Sequence, residues 1–252
     1  MKRMLVVGIG AGDPDHLTLQ AVKAIGLVDV FFVLDKGEAK DDLVRLRRGM
    51  VEAHGRPGHR VVEARDPERD RTAAGYAGAV EEWRSRRAVV YERLIAEELG
   101  EGETGGFLVW GDPGVYDSTL AILEEVLGRG AVAFEYEVVP GISSVAALTA
   151  RHRTSLTRVG RPVQVTTGRR LEAEGPGDVD DIVVMLDARC AFAGMQGFDI
   201  YWGAYVGTPD EILVAGPVEE VAERIKEVRA AARERKGWIM DTYLLRRRDP
   251  LS

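Results

Sequence analysis

The fold is decided by the stretch Phe107-Leu108-Val109-Trp110-Gly111-Asp112-Pro113-Gly114-Val115-Tyr116-Asp117-Ser118. Its first four residues are apolar and predict a buried strand, which ends before Pro113 because proline cannot donate a ladder hydrogen bond. Ser118 then begins an amphipathic helix, which has Leu120, Leu123 and Leu127 on one face. A strand, a glycine-rich turn and a helix in this order build ligand sites at the carboxyl ends of strands in α/β sheets. We therefore expect an α/β fold with a ligand site at this turn.

Two other predicted strands end in comparable turns. Residues 4–9 form an apolar run that leads into Gly8-Ile9-Gly10-Ala11-Gly12-Asp13-Pro14. Residues 134–139 form another, which is closed by Pro140-Gly141-Ile142-Ser143-Ser144. Ser143 or Ser144 can cap the helix that follows, and a helix N-terminus with free N–H groups suits a polar or charged ligand group. Three strand-end turns are therefore expected to converge on one site.

The remaining elements of the first half are predicted from periodicity and capping signals. Thr18 is expected to cap a helix that buries Leu19 and Ile25 and stops at Gly26. The Arg-rich face of a helix over residues 76–99 is expected to be solvated. The charge run at residues 66–70 is expected to be a solvated loop, and residues 100–106 a second loop. A polar helix over residues 41–54 and strands over residues 30–34 and 59–64 complete this half.

The second half predicts a separate domain. Composition shifts near Pro140, so we expect an N-terminal α/β domain over residues 1–140 and a C-terminal α/β domain over residues 141–252. One long helix, from Val218 to about Arg235, is expected to join the last two strands, and Arg246-Arg247-Arg248 is expected to be a frayed tail. The predicted strands of this half cover residues 163–167, 181–186, 200–206 and 238–244.

Composition limits the class of protein. The 252 residues are 45% hydrophobic and 30% charged, which fits a globular protein with a substantial core. The net charge of −7 argues against a nucleic-acid partner, because phosphate contacts need clustered Lys and Arg. The single cysteine, Cys190, fits a reducing cytoplasm. No apolar stretch reaches the length of a membrane span, and the four histidines are scattered, so neither a membrane nor a metal is expected.

A dinucleotide-binding site is one alternative. Gly8-x-Gly10 follows a strand, and a second strand ends at Asp35, which together resemble a dinucleotide fingerprint. The fingerprint fails at its third glycine, where Asp13 stands. An NAD-dependent oxidoreductase would also leave the turns at Asp112 and Ser143 without a role. A non-catalytic binding module is a further alternative, but it would not need three converging turns.

The three turns, together with Thr166-Thr167-Gly168-Arg169 and Gly207-Thr208-Pro209-Asp210-Glu211, resemble those of the S-adenosylmethionine-dependent tetrapyrrole (precorrin) methyltransferases. The order and spacing match over essentially the whole chain. The deacetylating members of the family are the most similar, in the segments 66–71, 107–113, 201–205 and 237–243. One departure is visible, since Ala11 stands where the family commonly has proline. Another precorrin methyltransferase or a diphthine synthase stays open as an alternative.

The resemblance implies two α/β domains with an interdomain cleft, S-adenosyl-L-methionine folded into that cleft, and a tetrapyrrole substrate in the adjoining trough. It also implies a homodimer, and the C-methylation of a precorrin with loss of its acetyl group as acetate in aerobic cobalamin biosynthesis. S-adenosyl-L-homocysteine would be the product of the methyl donor. The residues carried over as cofactor contacts are Ala11, Gly111, Asp112, Val115, Ser143, Ser144, Met185, Ala204 and Trp238.

Methyl transfer from a sulfonium needs no enzyme nucleophile, so the lack of a Ser–His–Asp motif does not count against an enzyme. Expelling the acetyl group needs water to attack its carbonyl, and a donor near the oxyanion would help. Tyr116 and Arg169 are the expected catalytic residues. Alternatively, Tyr116 packs over the cofactor and Arg169 only binds a substrate carboxylate. Six arginines are expected either to line a positive trough or to be ordinary surface charges: Arg151, Arg153, Arg158, Arg161, Arg169 and Arg170.

Overall fold

The computed structural model describes residues 1–35, 41–67 and 76–248. The chain divides into two compact units, residues 1–142 and residues 143–252, which are described separately. Within the described ranges, no helix combines the length and apolar character needed to cross a membrane, and no three His, Cys, Asp or Glu side chains are grouped to hold a metal ion. The assignment of residues 1–140 and 141–252 as functional domains stays a prediction.

Unit 1, residues 1–142, is built on a parallel sheet of five strands in the order β3-β2-β4-β1-β5. Its helices alternate with the strands along the chain, as expected when both faces of a parallel sheet are covered. In chain order the elements are β1 (Lys2–Gly8), a 3₁₀ turn (Pro14–His16), α1 (Leu19–Ile25), β2 (Val30–Asp35), α2 (Asp41–His54), β3 (Arg60–Arg65), α3 (Tyr76–Glu98), β4 (Thr104–Val109), α4 (Thr119–Arg129) and β5 (Phe134–Val139).

The central strand β4 begins three residues before its apolar run. Residues 100–106 were expected to be a loop, but Thr104, Gly105 and Gly106 already pair with β1. A Cβ on Gly105 would lie 2.6 Å from the Sδ atom of Met4, so close packing requires glycine in this strand. The expectation of a loop holds for residues 100–103 but was wrong for residues 104–106, because glycine normally indicates a break rather than a tightly packed strand.

Helix α1 is capped as expected, but its buried face differs. The Oγ1 atom of Thr18 accepts a hydrogen bond from the N–H of Ala21 at 3.0 Å, which confirms the cap. Ile25 is fully buried, whereas Leu19 is 81% exposed, so its predicted burial is wrong. Leu19 occupies the first helical position, before the helix has turned its apolar face onto the sheet.

The Arg-rich face of α3 is not fully solvated. Arg87 is 6% exposed, and its Nε atom lies 2.9 Å from Oδ1 of Asp66. Asp66 belongs to the charge run that was expected to be a solvated loop, yet its side chain is only 8% exposed. Both predictions are wrong at these residues, because each charge has a buried partner that is distant in sequence. The rest of that run, Glu68 to Asp70, lies outside the described residues.

Unit 2, residues 143–252, contains a mixed sheet of five strands in the order β6-β7-β10-β8-β9. Strands β6 and β7 are parallel, and the other neighbours are antiparallel. In chain order its elements are α5 (Ser144–Arg151), β6 (Val163–Thr167), α6 (Gly168–Glu174), β7 (Asp181–Met185), β8 (Phe198–Ala204), β9 (Ile212–Pro217), α7 (Val218–Lys236) and β10 (Asp241–Arg247).

Two expectations for unit 2 were wrong. Helix α7 was expected to follow the strand over residues 200–206 directly, but strand β9 lies between them. Strand β9 was missed because its short apolar run ends at Gly216 and Pro217. The segment Arg246–Arg248 is not a frayed tail, since Arg246 and Arg247 belong to β10. The Nε atom of Arg246 lies 2.7 Å from Oδ1 of Asp181, which is fully buried. This ion pair fixes the end of the strand.

Candidate functional site

The three glycine turns of unit 1 touch one another. The N–H of Gly111 donates to the carbonyl oxygen of Gly10 at 2.7 Å, and the N–H of Gly10 donates to the carbonyl oxygen of Gly111 at 3.2 Å. A Cβ on Gly8 would lie 2.5 Å from the backbone nitrogen of Gly141. The absence of side chains at these positions therefore lets the ends of β1, β4 and β5 approach closely.

The carboxylate of Asp112 holds this convergence together. Its Oδ2 atom accepts a hydrogen bond from the N–H of Gly141 at 2.9 Å, and its Oδ1 atom accepts one from the N–H of Gly114 at 2.8 Å. A carboxylate offers about four acceptor positions, so these two bonds leave capacity for a ligand donor. The residue is half-buried, at a turn that the sequence identified.

Other predicted residues of unit 1 lie in the same turns. Ala11 is buried, Gly111 is buried with a φ of +70°, and Val115 is half-buried. Tyr116 is 47% exposed and has a φ of +50°, a left-handed conformation that is uncommon for a side chain of this size. Backbone strain of this kind is concentrated at functional sites, which supports the choice of Tyr116 as a candidate.

Ser143 and Ser144 begin helix α5 in unit 2. The Oγ atom of Ser143 accepts a hydrogen bond from the N–H of Ala146 at 3.2 Å, so of the two serines considered as caps Ser143 is the one that serves. Ser144 is the first helical residue, and both serines are half-buried. The cap satisfies one of the N–H groups of the first turn, and the others remain available to a polar ligand.

Three predicted cofactor residues of unit 2 lie at the ends of neighbouring inner strands or just beyond them. Met185 ends β7 and Ala204 ends β8, and β10 pairs between them through Thr242↔Met185 and Asp241↔Ala204. Trp238 lies just before β10 and is 9% exposed. Its ring stands edge-on to that of Tyr205, with 5.0 Å between the ring centroids. The register thus places Met185 and Ala204 at the same end of the sheet, and Trp238 contacts Tyr205, the residue after Ala204.

The residues that directly follow β7 and β8 both have left-handed backbone conformations. Leu186, directly after β7, has a φ of +55° and is 63% exposed. Tyr205, directly after β8, has a φ of +49°, and its hydroxyl donates to the carbonyl oxygen of Trp238 at 2.6 Å. Such conformations persist only where the surrounding structure enforces them. Sequence reasoning did not single out either residue.

A buried polar network lies next to these strand ends. Arg229 donates from Nε to Oδ2 of Asp241 at 2.9 Å and from Nη2 to the carbonyl oxygen of Asp187 at 2.7 Å. The Tyr243 hydroxyl donates to Oδ2 of Asp187 at 2.7 Å, and burial raises the pKa of Tyr243 far above its usual value. Sequence reasoning missed this network. The sequence feature that could have indicated it is an arginine, Arg229, at a buried position of α7. The other buried positions of this helix are apolar: Val218, Ala222, Ile225 and Ala232.

The predicted arginine cluster is largely engaged within unit 2. Arg169 is exposed in the first turn of α6, at the carboxyl end of β6 as expected. Four of the six arginines form ion pairs with carboxylates, which weakens the prediction of one continuous positive surface. These pairs are Arg151–Glu211, Arg158–Asp181, Arg161–Asp180 and Arg170–Glu174.

Comparisons with known proteins agree in pointing to one family. The profile of the Tetrapyrrole (Corrin/Porphyrin) Methylases matches residues 3–222. Precorrin-6A synthase [deacetylating] from Sinorhizobium sp is 49% identical over 250 residues, which are 98% of this chain and 96% of that protein. The crystal structure of the cobalamin synthesis related protein CobF from Corynebacterium diphtheriae superposes with a TM-score of 0.85 at 35% identity, covering 99% of this chain and all of that one.

A more distant structure supports the fold alone. Uroporphyrin-III C-methyl transferase from Thermus thermophilus, solved in complex with S-adenosyl homocysteine, has a TM-score of 0.58 at 22% identity. The match covers 96% of both chains.

Proposed function

We propose, from the premise that this chain belongs to the tetrapyrrole (corrin/porphyrin) methylase family, that it is a deacetylating precorrin methyltransferase. It transfers a methyl group from S-adenosyl-L-methionine to a ring carbon of precorrin-5 and releases the acetyl group as acetate, which gives precorrin-6A in aerobic cobalamin biosynthesis. The observation that carries this proposal is the 49% identity to precorrin-6A synthase [deacetylating] across nearly the full length of both chains.

The polar groups at the candidate site fit S-adenosyl-L-methionine. In unit 1, the Asp112 carboxylate has acceptor capacity for a hydroxyl or ammonium donor. In unit 2, the first turn of α5 offers N–H groups for a carboxylate. The Oγ1 atom of Thr166, at the end of β6, is buried and has no hydrogen-bond partner within the described residues. The residues proposed to hold the cofactor are Ala11, Gly111, Asp112, Val115, Ser143, Ser144, Met185, Ala204 and Trp238.

The protein's part in methylation is to position the substrate. When bound, S-adenosyl-L-methionine supplies a methyl group that is already activated by its sulfonium. The turns at Gly10, Gly111 and Gly141 form a rigid surface because backbone hydrogen bonds and the Asp112 carboxylate fix them to one another. Orienting two reactants in this way contributes up to about 7–11 kcal/mol to lowering a barrier.

The loss of acetate follows from the chemistry of the methylated carbon. Once this carbon carries both a methyl and an acetyl group, it has no proton to lose. Water attacks the acetyl carbonyl, the bond between the acetyl and ring carbons breaks, and the electron pair passes to the ring system, while acetate leaves and the two protons of the water pass to solvent. A hydrogen-bond donor at the carbonyl oxygen stabilises the developing negative charge, and we assign this task to Tyr116 or Arg169.

Equilibrium binding tests the class of enzyme before any substrate is prepared. Calorimetry with S-adenosyl-L-homocysteine and with NAD separates a methyltransferase from an oxidoreductase. We expect saturable binding of S-adenosyl-L-homocysteine and no binding of NAD. The reverse result would overturn the proposed function, because the fingerprint residues Gly8 and Gly10 would then hold a dinucleotide.

Two further features belong to the proposal. A homodimer is what the family resemblance implies, and light scattering at several protein concentrations measures it. A cytoplasmic location agrees with the single free cysteine, Cys190, because extracellular domains more often carry disulfides. Fractionation of cells that produce the protein would test the location.

A further inference from the structure

A cavity of about 460 Å³ lies within unit 1, beside the stretch that decides the fold. It is bounded by β2, α2, β3, α3, β4 and the start of α4, and much of its wall is apolar. The apolar side chains include Phe32, Leu34, Val44, Val51, Phe107 and Val109. This volume is at the lower end of the range of small-molecule pockets, and a wall of this composition normally holds the body of an organic ligand.

Two donors in the cavity wall meet no acceptor among the described residues. The Nε atom of Arg47 and the Nε1 atom of Trp110 are inaccessible to solvent, and neither meets a hydrogen-bond partner in the part of the chain that the structure describes. A buried donor without a partner costs about 1–3 kcal/mol, and a charged one costs more. Burial lowers the pKa of the Arg47 guanidinium, although nearby Asp117 opposes this shift. Arginine nevertheless stays protonated, so its charge is retained at this cost.

A second arginine in the wall, the buried Arg87, provides a contrast. Arg87 lies beside the Asp66 carboxylate, donates to Ser118 Oγ at 3.0 Å and donates to Tyr91 Oη at 3.3 Å. Arg87 therefore has acceptors for both Nη atoms and a counter-ion beside its Nε atom, although that Nε atom, like the one of Arg47, makes no hydrogen bond within the described residues. Two carboxylates of the wall are engaged, since Asp117 accepts from the N–H of Thr119 and Glu63 pairs with Arg48, and Glu52 is a third carboxylate there. Within the described residues the Nε donor of Arg47 makes no hydrogen bond, so it can serve a ligand.

We propose that this cavity binds a carboxylate carried on an apolar body, with Arg47 and Trp110 as its donors. An ionised carboxylate accepts from both donors once their side chains turn toward the cavity, since neither nitrogen is exposed in this conformation, and it adds to Asp117 as a counter-charge for Arg47. The apolar wall accommodates a group of about the size of one substituted pyrrole ring. The identification of this group as a carboxylate-bearing ring of the tetrapyrrole substrate rests on the proposed function.

The position of the cavity links it to the candidate site. Trp110 immediately precedes Gly111 and Asp112 in the chain, and Asp117 and Thr119, which also line the cavity, follow Tyr116. The two ends of the turn that contains Asp112 and Tyr116 therefore both form part of the cavity wall. A group held by Arg47 and Trp110 would be anchored next to that turn.

Calorimetry with three probes tests the proposal on the full chain. The probes are a monopyrrole that carries one acetate and one propionate arm, its diamide, and acetate alone. We expect the dicarboxylate to bind, and its affinity to fall about tenfold or more in Arg47→Met and severalfold in Trp110→Phe. Arg45→Met is the matched control, because Arg45 is exposed on the same helix and does not line the cavity. The control should bind the dicarboxylate as the unmodified chain does.

The outcomes distinguish the sources of the carboxylate. Binding of the dicarboxylate without acetate would assign the cavity to an arm of the substrate, whereas equal dependence of acetate binding on Arg47 would assign it to the released product. Equal affinity for the diamide, or unchanged affinity in both Arg47→Met and Trp110→Phe, would overturn the proposal. If Arg47→Met does not fold, Trp110→Phe decides.

Two further readouts separate this proposal from a structural role and from the proposed function. Removing a half-buried arginine whose Nε atom makes no hydrogen bond within the described residues should leave the melting temperature of Arg47→Met unchanged or raised, whereas a structural arginine would lower it on removal. S-adenosyl-L-homocysteine should bind Arg47→Met and the unmodified chain equally well. Failure of the unmodified chain to bind it would contradict the proposed function and leave the carboxylate result standing.

Discussion

The Asp112 carboxylate accepts a hydrogen bond from the backbone N–H of Gly141 at 2.9 Å, across 29 residues of sequence. This bond joins the turn after β4 to the turn after β5. The bond between Asp112 and Gly114 closes the first of these turns on itself. The Asp112 side chain thus stabilises the two turns and, in our proposal, also binds the cofactor.

Replacing Asp112 should therefore affect both stability and binding. Asp112→Ala removes acceptors from two backbone N–H groups and should lower the free energy of unfolding by about 1–3 kcal/mol. Asp112→Asn keeps one oxygen acceptor and should lower it less. Both variants should bind S-adenosyl-L-homocysteine more weakly, by about 0.5–3 kcal/mol. Calorimetry and urea unfolding measure the two effects.

The control for Asp112 is Glu135→Gln, an exposed carboxylate on β5. It should change neither quantity. An Asp112→Asn variant that is folded and binds S-adenosyl-L-homocysteine as tightly as the unmodified chain would show that the carboxylate serves only the turns.

Gly141 has no room for a side chain. A Cβ there would lie 2.1 Å from the carbonyl oxygen of Gly111, so Gly141→Ala must push two backbone segments apart. We expect a loss of about 3 kcal/mol in the free energy of unfolding. Gly128→Ala is the matched control, because Gly128 lies within α4 with nothing within 4 Å of its Cβ position. It should stabilise the protein by about 0.5–1 kcal/mol. Destabilisation of equal size in both variants would contradict the close approach of the turns.

His152 should make stability depend on pH. Burial lowers the pKa of His152, while its Nε2 hydrogen bond to the carbonyl oxygen of Trp202, at 3.0 Å, partly opposes this shift. The unfolded chain, with an imidazole pKa of about 6.5, then takes up the proton more readily than the folded one. The stabilisation is therefore present above about pH 6.5 and is lost as the pH falls through the lower folded pKa.

Urea unfolding between about pH 5 and pH 7.5 measures this dependence. His152→Gln should show a shallower fall in stability toward acid pH than the unmodified chain. His54→Gln removes an imidazole from unit 1 and should retain the full slope. Identical slopes in the unmodified chain and His152→Gln would mean that His152 does not couple folding to protonation in this range.

The sequence indicated the glycine turns because their chemistry is local. Gly111, Asp112 and Pro113 mark the end of a strand in any context, and the cap at Ser143 follows from the neighbouring residues alone. What the sequence did not reveal depends on distant partners. Arg87 resembled a solvated charge until Asp66 was found beside it, and Arg246 resembled a tail residue until Asp181 was found to pair with it.

Packing explains the other differences. Gly105 predicted a loop, whereas the structure uses its small size to fit β4 against Met4. Strand β9 at the edge of its sheet carries Gly216 and Pro217, residues that weaken a strand pattern but are tolerated at an edge. No local pattern indicated that Arg47 would line a cavity, because it belongs to a helix of polar composition.

Tyr116→Phe should separate the two chemical steps. Removing the hydroxyl takes away a proposed donor to the acetyl oxygen, and one such donor contributes about 10²–10³ in rate. We therefore expect the rate of acetate release to fall, while the affinity for S-adenosyl-L-homocysteine changes little. Single-turnover assays of acetate release, with calorimetry alongside, measure both. An equal loss in both quantities would indicate that Tyr116 packs against the cofactor instead.

The central claim is that methyl transfer and acetate release occur on this one chain. It is tested most directly by incubating the protein with precorrin-5 and S-adenosyl-L-methionine that carries a labelled methyl group, and then measuring the mass of the tetrapyrrole product and the amount of acetate. The account predicts a product that has gained the labelled methyl group and lost the acetyl group, with one acetate released for each methyl transferred. A methylated product that retains its acetyl group would contradict it.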